Sequence, residues 1–282
     1  MNKKILFVII VLVLASFACS IQNVKMRTIE TQEVEISEPL PTSDSETELV
    51  FKMAGGKFLI HPGAQGLVDG TIIYNVEQWE PEFTRRNNAF KITQVDSFRL
   101  SGIPAGDVVN LWDLKLTNTL PLNITITGGA SQNEYNFSGL KISQLAITQG
   151  ASETDIRFDI PNSILMESFT FSTGASSAEI YGLLNANFEK MSMSAGAGNY
   201  KLDFSGFLTH DVHVEIKAGV SNISISVPSD IQVVVNNKGT ISNINTSGTW
   251  LVSDTIYRTL NDGYTLTIDL NMALGNVNLK QQ

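Results

Sequence analysis

Gly129-Ala130-Ser131, Gly150-Ala151-Ser152, Gly174-Ala175-Ser176, Gly196-Ala197-Gly198 and Gly219-Val220-Ser221 punctuate the stretch from Leu122 to Val227 at intervals of 21, 24, 22 and 23 residues. Counting from each glycine exposes a shared register. Three positions before it stand Ile126, Ile147, Phe171, Met193 and Ile216, and five before it Ile124, Leu145, Phe169, Met191 and Val214. Six positions after it stand Tyr135, Ile156, Ile180, Leu202 and Ile225. Eight after it come Phe137, Phe158, Phe204 and Val227, with Gly182 breaking the series. Ala273 repeats the arrangement, preceded by Ile268 and Leu270 and followed by Val277 and Leu279.

Apolar residues two apart put alternate side chains on one face, which is the period of a half-buried strand and not of a helix. Each unit therefore reads as strand, tight turn, strand, with the glycine expected to supply the positive φ of the turn. The expected fold is all-β: a β-solenoid-like stack of two-strand rungs with a period of about 22 residues, plus a small N-terminal β module. One rung buries about four large apolar side chains at roughly 2 kcal/mol each. That does not offset the ordering entropy of its backbone, about 1–2 kcal/mol per residue, so stability has to come from stacking.

Upstream, Leu49 and Phe51, Ala54-Gly55-Gly56, then Phe58 and Ile60 repeat the arm-hinge-arm pattern as a half-rung. Residues 49–92 are read as the N-terminal module and 93–282 as the repeat domain with an irregular C-terminal rung. Within the module, Asp69-Gly70 reads as punctuation between two strand-like runs, as Asn261-Asp262-Gly263 does before Tyr264. The phrases Val68-Asp69-Gly70-Thr71, Tyr74-Asn75-Val76 and Trp79-Glu80-Pro81 resemble the N-terminal domain of the bacterial toast-rack family. Asn110-Leu111-Trp112-Asp113-Leu114-Lys115-Leu116, leading to Pro121-Leu122 and the Gly-Ala repeats, resembles that family's stacked β portion. The resemblance implies an envelope-associated, adhesin-like β protein without catalytic residues.

The N-terminus carries Lys3-Lys4 and an apolar run from Ile5 to Ala18, which together read as a signal peptide over residues 1–18. The single cysteine, Cys19, follows directly, as in the lipobox of bacterial lipoproteins, and is the expected lipid attachment site. Ser16-Phe17-Ala18 equally satisfies the ordinary small-x-small cleavage rule, which leaves a secreted product as the alternative. Residues 19–48, rich in Glu, Ser, Thr and Pro, read as a flexible tether. The expected location is extracytoplasmic, lipid-anchored to the cell membrane. A formal net charge of -9 argues against nucleic acid as a partner. One cysteine excludes an intramolecular disulfide.

No residue pattern calls for a metal, a cofactor or a catalytic centre. His61, His210 and His213 lack metal-ligand spacing, no Gly-x-Ser-x-Gly elbow occurs, and the glycine hinges lead into strands rather than phosphate loops. What the repeats do offer is an outer face. Two positions before the hinges stand Thr127, Thr148, Ser172, Ser194 and Lys217; four before stand Thr125, Ala146, Thr170, Ser192 and Glu215. Stacked at roughly 4.8 Å per rung, Thr125, Thr127, Thr148, Thr170, Ser172, Ser192 and Ser194 form a candidate surface-binding ladder for envelope polysaccharide or a surface protein. A solvated strand face is the plainer expectation. Five positions after the hinges, Glu134, Asp155 and Glu179 would stack as like charges, relieved by Arg157 or bridged by a cation.

Three functions follow from these features. The first is a non-enzymatic envelope lipoprotein presenting a rigid β surface for adhesion or structural interaction. The second is an envelope-stress component, because Ala218-Gly219-Val220-Ser221-Asn222 to Pro228 resembles a domain of proteins that restrain cell-wall stress kinases. The third, ranked last, is a polysaccharide-active enzyme, which would need carboxylates or bases converging in a groove.

Overall fold

The computed structural model describes residues 27–43, 45–94, 107–240 and 243–282. These are mostly strand, with short 3-10 turns at Glu77–Trp79 and Leu183–Ala186. The N-terminal part contributes β1 (Thr28–Glu38), β2 (Thr47–Pro62), β3 (Val68–Val76), β4 (Glu82–Arg86), β5 (Ala89–Thr93) and β6 (Asn110–Leu116). The repeats are β7 (Leu122–Asn136), β8 (Ile142–Arg157), β9 (Met166–Tyr181), β10 (Phe188–Asp203) and β11 (Val212–Val227). The C-terminal part adds β12 (Gln232–Asn237), β13 (Asn243–Ser247), β14 (Leu251–Ser253), β15 (Ile256–Arg258) and β16 (Thr265–Gln281). All join one sheet, and β7 to β11 follow one another in it as parallel neighbours.

The expected register is present. Ile126 pairs with Ile147, Ile147 with Phe171, Phe171 with Met193 and Met193 with Ile216, so the apolar columns share one interior. An aromatic file runs through it: Phe58–Tyr135 at 5.5 Å, Tyr135–Phe137 at 5.9 Å, Phe137–Phe158 at 5.7 Å, Phe158–Phe169 at 6.1 Å and Phe169–Phe188 at 6.4 Å. These are the separations of edge and tilted ring pairs.

The rungs differ from the expected strand-turn-strand. Each is a single strand folded at its centre, and the inter-rung pairing continues past the fold, as at Ala195–Ala218 and Ala197–Val220. Two observations locate the bend. In β9 the buried positions are Phe169, Phe171 and Thr173 before it but Ala178 and Ile180 after it, so their parity changes. In β2 the rings of Phe51 and Phe58 lie 5.8 Å apart, whereas seven extended residues would span about 23 Å.

The hinge glycines do not supply positive φ either; none of Gly129, Gly150, Gly174, Gly196 and Gly219 has it. Their role is close approach. A Cβ on Gly150 would sit 3.1 Å from the Gly129 carbonyl oxygen, on Gly174 2.9 Å from that of Gly150, and on Gly196 2.5 Å from that of Gly174. Where rungs bend together, the backbones at the hinge approach too closely to admit a side chain at that position.

Both ends depart from sequence order in the same way. At the N-terminal end β2 lies on β7, and the outermost rung is built later, with β5 pairing one arm of β2 and β6 the other. At the C-terminal end β12 and β13 form the outermost rung, and β16 then returns between them and β11. Ala273 therefore belongs to an inserted rung, and Asn261-Asp262-Gly263 joins strands that do not pair with each other. Antiparallel strands finish the sheet: β3 and β1 beside β6, and β15 and β14 beside β12.

Three segment readings change accordingly. Part of the expected flexible tether 19–48 is ordered as β1, because Val34 and Ile36 alternate with glutamates and face the core, a pattern that average composition hides. Asp69-Gly70 lies inside continuous β3 and makes no turn. Residue 92 divides nothing in packing, since β2 stacks on β7 along both arms and one core contains residues of both. The signal segment and Cys19 lie outside the described residues.

Candidate functional site

Alternation along the first arm of each rung sends Ile124 and Ile126, Leu145 and Ile147, Phe169 and Phe171, and Met191 and Met193 inward. The residues between them must then face outward. The parallel register stacks Thr127 on Thr148, Thr148 on Ser172 and Ser172 on Ser194. The neighbouring column runs Thr125, Ala146, Thr170, Ser192, with Ala146 interrupting its hydroxyls. All seven expected ladder residues are thus brought onto one face as two adjacent columns. Thr148 and Ser194 are exposed and the other five are half-buried.

The hydrogen bonding separates this face from most hydroxyls at the corner of the repeats. Those of β7 to β9 are committed, whereas the buried Ser221 hydroxyl of β11 has no partner among the described residues. Asn133 donates to Ser131 at 3.0 Å and to Thr154 at 3.1 Å; Ser152 and Thr154 donate to Gln149 at 2.9 and 2.8 Å. Thr173 donates to Ser176 at 2.8 Å, and Ser176 bonds the Tyr200 hydroxyl at 3.0 Å. Burial pushes the Tyr135 phenol far above its ordinary value, against a smaller opposing effect of the Gln149 side chain, so it stays protonated. The seven outer hydroxyls have no side-chain hydrogen bond among the described residues. They are free to meet a ligand.

Beside the column of Thr148, Ser172 and Ser194 the bare corner leaves a groove of about 820 Å³. Its lining includes Thr148, Ser172 and Ser194 together with Gly196, Ala218 and Ala273 at the corner. The glycine and alanines of its lining carry little or no side chain and leave it open. Toward the C-terminal end the columns become charged. Lys217 bonds Glu215 at 2.8 Å, and Lys238 bonds Asp269 at 2.7 Å. Asp269 also accepts from Asn236 at 2.8 Å and faces His213 at 3.6 Å. Burial alone would raise the Asp269 carboxyl, but the hydrogen bonds from Lys238 and Asn236 and the nearby charges outweigh it, leaving the group below the usual range.

On the second arm, Glu134, Asp155 and Glu179 do stack in register. Each has a cation of the same chain: Lys57 at 2.8 Å from Glu134, Arg157 at 2.9 Å from Asp155 and Lys201 at 3.4 Å from Glu179. Tyr181 lies under both Arg157 and Lys201, at 4.7 and 4.6 Å from its ring centre, and donates its hydroxyl to Glu179. That hydrogen bond, with Lys201 and Arg157, holds Glu179 below its usual value despite opposing desolvation. Among the described residues no His, Cys, Asp and Glu side chains cluster to hold a metal. His61 and His213 face different aspartates, and His210 lies at the Phe188 carbonyl.

One surface feature went unread in the sequence. Asn276 donates to Asn222 at 3.0 Å and Asn222 to Asn199 at 3.1 Å, with Asn245 donating to Asn278 at 3.1 Å beside them. The signal was available, since Asn199, Asn222 and Asn276 all stand three positions after their hinge.

A family model described as the N-terminal domain of toast_rack, DUF2154, matches residues 22–163. Among curated proteins none matches the chain. A solved structure from Clostridium sporogenes ATCC 15579, titled a "putative cell adhesion protein", superposes with a TM-score of 0.50 at 15% identity, covering 90% of this chain and 100% of that one. A "putative adhesin" from Bacteroides fragilis NCTC 9343 aligns with a TM-score of 0.36 at 8% identity, over 90% of this chain and 97% of that one. At these identities the first likeness concerns the fold, and the second carries no further weight.

Proposed function

The chain belongs to the toast-rack family through its N-terminal domain, and from that premise we propose that it is a non-enzymatic cell-envelope protein presenting its hydroxyl face for adhesion. In this reading Cys19 carries the lipid that holds the chain at the outer side of the membrane, and the stacked rungs act as a rigid platform. The ligand is an envelope polysaccharide or a surface protein with a regular array of polar groups.

The observation that carries the reading is the contrast in commitment. At the buried corner Ser131, Ser152, Thr154, Thr173 and Ser176 are bonded to neighbouring side chains, while Thr125, Thr127, Thr148, Thr170, Ser172, Ser192 and Ser194 are aligned and unused. A rigid sheet holds such groups in place before binding, so little further ordering entropy is lost on contact. The pairing of the titratable groups favours a non-enzymatic role. Glu179 and Asp269 lie on opposite arms, and each is held ionised by its own hydrogen bonds rather than poised for proton transfer near neutrality.

The test is binding of the full chain to immobilised polysaccharides, compared with the triple variant Thr148→Val, Ser172→Ala, Ser194→Ala. Each lost hydrogen bond contributes about 0.5–1.5 kcal/mol, so affinity should fall roughly 10- to 1,000-fold with an unchanged melting temperature. Unaltered binding by the triple variant would remove the face from consideration. Anchoring is tested separately by whether Cys19→Ser moves the protein into the medium.

A further inference from the structure

The column two positions before the corner extends beyond its hydroxyls at both ends. Lys52 pairs with Thr127 at one end. Ser194 pairs with Lys217 and Lys217 with Asn271 at the other. Lys238 comes next, following Asn237, which is the register partner of Leu270. Read across the sheet, the line is Lys52, Thr127, Thr148, Ser172, Ser194, Lys217, Asn271, Lys238. It contains three lysines and no acid, in a chain whose formal net charge is -9.

The acids of this face stand one column away. Glu215 and Asp269 hold Lys217 and Lys238 from the side, and those two lysine side chains keep 55% and 58% exposure, enough to accept a second anion. Lys52 is exposed and has no ion pair among the described residues. Lys217 and Lys238 alone supply the charge lining the groove. At about 4.8 Å per rung, Lys217 and Lys238 are separated by roughly 10 Å, close to the length of an extended disaccharide. Lys52 stands five rungs from Lys217, roughly 24 Å away.

Resting on the hydroxyl-face reading above, we propose that the ligand is a linear anionic glycan with about one ionised group per disaccharide. It lies along this column, across the strands. Its sugars contact Thr127, Thr148, Ser172 and Ser194, and its anions contact Lys52, Lys217 and Lys238. Repulsion from the rest of an acidic surface disfavours binding elsewhere, so recognition is confined to this line and weakens as salt screens the three lysines.

The probes are hyaluronan, which has one carboxylate per disaccharide, and the same polymer with its carboxyls reduced to alcohols. The full chain should bind hyaluronan more tightly than the reduced polymer. The variant Lys52→Gln, Lys217→Gln, Lys238→Gln should lose about tenfold or more for hyaluronan and bind the reduced polymer as the parent does, with an unchanged melting temperature. Equal affinity of the parent for the two polymers, or an unaffected lysine variant, overturns the charge assignment while leaving the hydroxyl-face reading in place. Loss in the lysine variant with none in Thr148→Val, Ser172→Ala, Ser194→Ala keeps the charge contacts and overturns the hydroxyl face. Binding of neither polymer overturns the assignment together with the glycan form of the function.

Discussion

An added Cβ at Gly196 would meet the Gly174 carbonyl oxygen at 2.5 Å, and the backbones around both are fixed by parallel pairing on either side. Neither can give way alone. Gly196→Ala should therefore destabilise the fold by about 1–3 kcal/mol, as overpacking does, measured as a shift in urea or thermal midpoint. Gly139 is the counterpart, with a φ of +70° and only the Ile160 side chain nearby. Since Asn tolerates that conformation, Gly139→Asn should cost clearly less. A neutral Gly196→Ala would show that the corner relaxes and that close approach is not what requires glycine there. The need for a small residue was legible from recurrence alone. The cause was not, because the collision is with a residue on the neighbouring rung. Likewise, alternation placed Thr148 and Ser172 outside, but which hydroxyls are already bonded depends on contacts across the corner.

Among the elements, the outermost N-terminal rung shows how a broken strand is made good. Its two arms, β5 and β6, are separate, so the bend of β2 lacks a backbone partner there. Two buried amides replace it. Gln94 accepts from Ala54 N–H at 3.1 Å and donates to the Trp79 carbonyl at 2.7 Å, while Asn110 donates to the Gly55 carbonyl at 2.5 Å. The two amides also bond each other, at 2.8 and 2.9 Å. Asn110→Ala leaves buried acceptors without a donor and should cost about 1–3 kcal/mol. Asn222→Ala, in the exposed asparagine file, should stay within about 0.5 kcal/mol. Comparable losses in chemical denaturation of the two variants would contradict the bridging role. No local pattern marks Gln94 and Asn110, since what they replace is defined only once β5 and β6 lie on β2.

For the whole molecule, the consequence of one continuous sheet is that its edges must be managed. β1 covers β3 and turns Glu30, Glu33 and Glu35 to solvent, so the sheet ends in a line of like charge that discourages further strand addition. A chain beginning at Leu49, where composition suggests the module starts, lacks this cover. It should melt lower and scatter more light on warming than one beginning at Arg27. Equal behaviour would mean that β1 is dispensable. The capped stack also provides the rigidity that the proposed adhesive role requires, because each inner rung is hydrogen-bonded on both sides.

Strand periodicity, the repeat length, the inward columns from Ile124 to Ile225 and the outward hydroxyls were determined by the sequence itself. The reason is that alternation along a strand is a local property, and equal spacing brings equal positions into register. Only the tertiary structure decided that β16 is threaded between β11 and the outermost β12 and β13, and that β1 belongs to the sheet. It alone joined Lys52, Lys217 and Lys238 into one line. Those outcomes depend on which distant segments become neighbours, and that choice is made by burial of the whole core rather than by any signal within a segment.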